Sequence, residues 1–158
     1  MRPGEIAHLR RCIALAGEAL DRGGDPFGSI LVSAEGRILR EERNETGTGD
    51  ATRHPEFALA RWAIEHLSVE ERRAATVYTS GEHCPMCSAA HAWAGLGPIV
   101  YASSSAQLAG WLEEFGAGPL PVRPLAIGEV APAIPVSGPV REFAPDIRAL
   151  HARRHGAG

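Results

Sequence analysis

Two short stretches of this 158-residue chain bring together side chains that bind metals and move protons: His54-Pro55-Glu56 and Cys84-Pro85-Met86-Cys87. Both stand where a helix is predicted to begin, because Pro55 and Pro85 suit a first turn whose N–H groups have no intrahelical partner. Cys84 and Cys87 are three apart, so one helical face carries both sulfurs. Unpaired N–H groups and the helix dipole there favour thiolate over thiol. Two thiolates and the imidazole of His54 make a three-ligand zinc set, and three protein ligands leave the fourth position to water. A structural zinc site would close with a fourth protein ligand. His83 and His91 lie close by, but read better as solvated groups or as supports for the ligands. Glu56, two residues past His54, turns away from the ligand direction and stays within reach of that water. A metal lowers the pKa of bound water to about 7, and a neighbouring carboxylate can take the proton and pass it to a leaving amine. The set is a hydroxide source with a proton shuttle, which is what hydrolytic removal of ammonia from an aromatic amidine carbon requires. A thioredoxin-type redox pair would use the two cysteines alone and leave His54 and Glu56 without a role.

The elements that must position these residues can be read from periodicity. Ile6, Leu9, Ile13, Ala16 and Leu20 share one face of a helix over 5–22, ended by Gly23-Gly24. Ser29–Ser33 and Gly36–Arg40 read as a hairpin, and Asn44–Arg53 as a polar loop before the helix near His54. Ala75–Ser80 is a buried strand leading to the cysteine helix, which ends around Gly95–Gly97. Pro98–Ser103 forms a further strand, Gln107–Phe115 a helix, Val122–Val130 a last strand, and Val140–Arg154 a terminal helix interrupted near Pro145. That order predicts one α/β domain over 1–158, a three-layer α/β/α sandwich around a mixed five-stranded sheet.

Composition narrows the partners. All 16 basic residues are Arg, and the net charge is −3. The pairs Arg10–Arg11, Arg72–Arg73 and Arg153–Arg154 are scattered and read as solvated helix faces, not as the basic stripe that neutralises phosphates. A small-molecule substrate is expected in place of nucleic acid. No apolar run approaches the roughly 20 residues of a membrane span, and the first residues lack a signal-peptide core, so a cytoplasmic location is expected. Three cysteines do not suggest a disulfide framework, and Cys12 sits in an apolar stretch as a core residue.

With its His-x-Glu and Cys-x-x-Cys in this order, the chain resembles the cytidine/deoxycytidylate deaminase superfamily of zinc enzymes. The likeness runs from about Pro26 to Ser104 and includes Pro26-Phe27-Gly28, Asn44 and Thr79-Ser80 before Glu82. Gly-Gly before Pro-Phe-Gly, Cys-Pro-Met-Cys and Ala92-Trp93 make it most similar to the bacterial guanine deaminase branch. The resemblance implies a cytidine-deaminase-like fold, zinc on His54, Cys84 and Cys87, and Glu56 as the catalytic proton carrier. It also implies Asn44 as a base-binding amide, with Phe27 and Trp93 beside a flat substrate. By the same likeness the segment from about 139 to 155, with Phe143, Asp146 and Glu142, would close the pocket, and the enzyme would be a homodimer. Glu82 is read either as a hydrogen-bond partner of the cysteine loop or as exposed. Two departures stand out: His83 replaces the usual Pro before the first cysteine, and Ser103–Gln107 has no acidic residue to read a guanine amine. A guanine-like base or an aminopyrimidine such as isocytosine or cytosine is therefore the expected substrate. The alternatives are a tRNA adenosine deaminase and, from another class, a non-catalytic zinc-stabilised interaction module.

Overall fold

The computed structural model describes residues 1–157. Helix α1 (Pro3–Asp21) precedes strands β1 (Gly28–Val32) and β2 (Ile38–Arg43), and helices α2 (Pro55–His66) and α3 (Val69–Ala74) precede β3 (Thr76–Gly81). Then follow α4 (Pro85–Ala94), β4 (Ile99–Ser103), α5 (Ser105–Glu114), the short α6 (Ile127–Val130), β5 (Val136–Ser137) and α7 (Ala144–Arg154). The five strands form one sheet in the order β2-β1-β3-β4-β5. Strand β1 is antiparallel to β2 and β3, whereas β3, β4 and β5 run parallel. This is the mixed, helix-covered sheet that the sequence predicts.

Side-chain alternation along the strands divides the core in two. Ile30, Val32, Tyr78, Val100 and Ala102 pack with Leu9, Cys12 and Leu15 of α1 and Ile147 of α7. On the other face Leu31 and Val77 pack with Leu59, Ala60 and Ala63 of α2 and with Ala94 of α4. Strand β1 is buried at every position because both faces are covered. Gly28 makes that possible: a Cβ there would collide with the Cys12 carbonyl oxygen and the Leu15 side chain, so α1 can lie this close only on glycine.

The structure corrects the sequence reading in three places. Residues 122–126 form no strand, because Pro119, Pro121 and Pro124 deny this region the N–H donors of a ladder. The segment instead ends in α6, and the fifth strand is Val136–Ser137. The terminal helix starts later than expected, after a 3₁₀ turn over Arg141–Phe143, with Pro145 in its first turn. The break at Leu67-Ser68 that separates α3 from α2 was not anticipated; Ser68 and Glu71 cap α3 reciprocally at 3.2 and 2.7 Å. Among the described residues no helix is long and apolar enough to cross a membrane.

His91 and His151 are two of three buried histidines that carry a pH dependence. Burial lowers both His91, whose Nε2 lies 2.8 Å from the Gly97 carbonyl oxygen, and His151 from 6.5 to about 4. A lowered pKa means that the folded chain holds fewer protons than the unfolded one below pH 6.5. Their contribution to stability is therefore intact above that pH and is lost as the pH falls toward 4. His151→Phe should remove about 2 kcal/mol of the destabilisation between pH 7 and pH 5, read as a smaller shift of the urea midpoint. An equal shift in variant and wild type would show that His151 is not held neutral.

Candidate active site

Helices α2 and α4 pack on the same face of the sheet and bring their first turns together. His54 and Cys84 are the cap residues, each in extended backbone before a proline. Cys87 follows one turn into α4, so the ligand atoms of all three residues converge within 4.8 Å of one another. His54 Nδ1 stands 3.5 Å from Cys84 Sγ and 3.6 Å from Cys87 Sγ. Tetrahedral zinc, with bonds of about 2.0–2.1 Å to nitrogen and about 2.3 Å to sulfur, sets N and S about 3.6 Å apart. The residues fit the ion. The hydrogen bond from Cys87, then the one from His54, draws Cys84 down to about 4. Sharing that proton and burial push Cys87 up, and the Cys84 bond raises His54. The trio thus holds a thiolate in place, and a divalent cation would displace the remaining proton.

Glu56 lies behind this group and is only 6% exposed. Burial raises its pKa, against the pull of the His54 charge, which suits a group that must hold a proton between transfers. Its Oε1 lies 2.9 Å from both the Ser29 and the Thr79 hydroxyls, which donate to it. Ser29 is the one polar side chain of strand β1, and Thr79 belongs to the Thr79-Ser80 pair that leads into the cysteine loop.

Asn44 is buried at the start of the polar loop. Its Oδ1 accepts from the N–H groups of Asp25 (3.1 Å) and Thr46 (2.9 Å), which fixes the amide orientation. The amide nitrogen has no partner within the protein. Phe27 lies against Gly81, where a Cβ would come within 3.0 Å of the ring, so glycine at the end of β3 makes room for it. His151 of α7 packs edge-on to Phe27 at 5.1 Å, and Arg154 pairs with Asp25 at 2.9 Å. Glu82 is neither exposed nor bonded to the cysteine loop: its two oxygens accept from the Ser105 and Ile127 N–H groups at 2.8 and 2.9 Å, at the starts of α5 and α6. Gln107 is committed to a capping box with Ser104, accepting the Ser104 N–H at 2.8 Å.

Three expected substrate contacts lie elsewhere. Phe143 is buried in the core on the α1 side of the sheet, and Asp146 is exposed in a surface cleft with Arg10 and Ile13. The sheet separates both from His54 and Glu56, so the terminal segment meets Phe27 through His151 instead. Trp93 is 90% exposed, because α4 turns Cys87, His91 and Ala94 inward and Trp93 away from them. Nor are His83 and His91 solvated. Both are buried, their rings edge-on at 5.3 Å, with neither His83 nitrogen partnered within the protein.

With this geometry in view, similarity to known proteins follows the site. Guanine deaminase of Bacillus subtilis is 34% identical over 110 residues, covering 68% of this chain and 70% of that protein. A probable cytosine deaminase of Schizosaccharomyces pombe is 32% identical over 115 residues, covering 73% and 70%. The structure of guanine deaminase from Nitrosomonas europaea superposes with a TM-score of 0.72 at 21% identity, over 98% of this chain and 85% of that one, so the fold is shared. Residues 5–115 match the MafB19-like deaminases, a stretch holding every converging ligand and the buried carboxylate; the chain belongs to that cytidine/deoxycytidylate-deaminase-like family.

Proposed function

We propose that this protein is a zinc-dependent hydrolytic deaminase of a small nucleobase-like heterocycle, a guanine-like base or an aminopyrimidine such as cytosine or isocytosine. The observation that carries the reading is the convergence of His54, Cys84 and Cys87 in front of a buried carboxylate. When bound to these three residues, the ion supplies Lewis acidity and a nucleophile at neutral pH. Glu56 takes one proton from the attacking water and delivers it to a ring nitrogen, then takes the second proton from the newly added hydroxyl and delivers it to the departing amine. Asn44, its oxygen saturated and its nitrogen free, offers a donor to a carbonyl or ring nitrogen of the base. Phe27 gives a flat apolar surface for the ring.

The charge of −3 and the absence of lysine favour a free base over a structured RNA. In Ser103–Gln107 no carboxylate is available, and the Gln107 amide oxygen serves a helix cap, so guanine should not be clearly the best base. Ammonia release from guanine, cytosine, isocytosine, their nucleosides and an adenosine-containing tRNA stem-loop tests the reading. Turnover is expected with at least one free base. Fast release from the stem-loop with none from the bases would overturn it in favour of a tRNA deaminase, and no release at all would favour a zinc-stabilised interaction module.

A further inference from the structure

Ser29 and Thr79 are a hydroxyl pair set into an apolar sheet face. They are direct partners in the antiparallel register of β1 and β3, and both are completely buried. Their neighbours on the same face, Leu31 and Val77, belong to the apolar core against α2. A buried hydroxyl is destabilising unless it is hydrogen-bonded, so two of them side by side need a partner. That partner is Glu56. Both side-chain hydrogen bonds to the carboxylate fall on Oε1, at 2.9 Å each, and the two hydroxyls are themselves 2.8 Å apart.

We infer that Ser29 and Thr79 are positioning residues that clamp Oε1 of Glu56 and so leave Oε2 as the oxygen that handles protons. The inference rests on the proposed role of Glu56. Carboxylate oxygens exchange places by rotation about a soft terminal torsion, whose wells are broad. A proton carrier free to rotate would spend part of its time with the proton aimed into the sheet. Two donors on rigid neighbouring strands remove that freedom, because neither strand can move without breaking the ladder between them.

The clamp also accommodates both halves of a transfer without heavy-atom movement. Each hydroxyl has one proton. While Glu56 is charged, both protons can point at Oε1. Once Oε2 carries a proton and Oε1 attracts less, Thr79 can turn to the Gly81 carbonyl oxygen, also 2.9 Å away, and Ser29 can turn to Thr79 Oγ1. Neither group is stranded in either state. An apolar pair at these positions would pack equally well against α2 and would lack this function.

The test uses Ser29→Ala, Thr79→Val, the double variant and the conservative Thr79→Ser, all in the zinc-loaded full chain. A hydrogen bond to a charged group is worth about a tenfold to hundredfold effect. Each single variant should lower kcat about tenfold with KM little changed, and the double variant should lower it about a hundredfold. Thr79→Ser should stay near wild type. Zinc content should be unchanged in all four. A crystal structure of the double variant gives a readout independent of activity, with the Glu56 carboxylate expected to rotate or spread over two positions. A double variant with wild-type kcat, or with the carboxylate still in its wild-type place, would overturn the clamp. A fall in kcat accompanied by zinc loss, or equal in Thr79→Ser and Thr79→Val, would overturn it in favour of a packing role. Wild-type protein that releases ammonia from no base would overturn the proposed activity, and the carboxylate position in the double variant would then decide the clamp alone.

Discussion

Glu56→Gln should abolish turnover while leaving the metal and the fold in place. The substitution preserves size, and the amide oxygen can still accept from Ser29 and Thr79 where the carboxylate does now. What it removes is a group able to carry a proton. General acid–base assistance contributes about 10²–10⁴-fold, and a residue serving several transfers in one cycle belongs at the upper end. Because Glu56 is buried with its carboxylate desolvated, replacing it by a neutral amide also removes a charge that burial disfavours, so melting should be unchanged or slightly raised. The check is kcat on the best base from the substrate panel, with zinc analysis and thermal melting on the same preparation. A variant retaining a tenth of wild-type activity would show that Glu56 is not the proton carrier.

Cys87→Ala is expected to cost the protein its zinc. Cys87 is completely buried and supplies one of three converging ligand atoms, with no fourth His, Cys, Asp or Glu joining that group among the described residues. Wild-type protein purified without added metal should contain near-stoichiometric zinc, and the variant should lose most of it. Binding to the folded chain alone stabilises it, by about 4 kcal/mol when free metal exceeds its dissociation constant a thousandfold. A chelator should therefore lower the wild-type melting temperature and leave the variant unmoved. Full zinc content in the variant would overturn the ligand assignment, as would a wild-type melting curve indifferent to chelation.

What sequence could and could not reveal here depends on the range of each interaction. His54, Glu56, Cys84 and Cys87 were legible because their chemistry is written in short spacings, and helix starts at Pro55 and Pro85 orient them almost without help from the rest of the chain. The alternating layers were legible from periodicity. The pairing of Ser29 with Thr79 was not, since only the strand register sets them opposite one another, fifty residues apart along the chain. Nothing local in the sequence marks His151, because only the docking of α7 buries it against Phe27. The same docking took Phe143 into the core, so the aromatic that looked suited to a pocket lid serves as packing. The apolar residues Val122, Leu125, Ile127 and Val130 imitate a strand, but three prolines just before and among them decide otherwise. The family likeness places Trp93 beside the substrate, but the roll of α4, which buries Cys87, His91 and Ala94, turns it out to solvent.

The contact between α7 and the turn before β1 has a bearing on how the protein is made. Arg154 meets Asp25 across 129 residues of sequence, and His151 closes on Phe27 over a comparable span. A ribosome releases the chain from its N-terminus, so His54, Cys84 and Cys87 all emerge, and β1 and β3 can pair, well before α7 exists. The three ligand residues can come together on a nascent chain that still lacks the helix packed against Phe27. The α7 residues that pack on the Phe27 edge are translated after all three ligand residues, so this side of the fold is completed later than the ligand cluster.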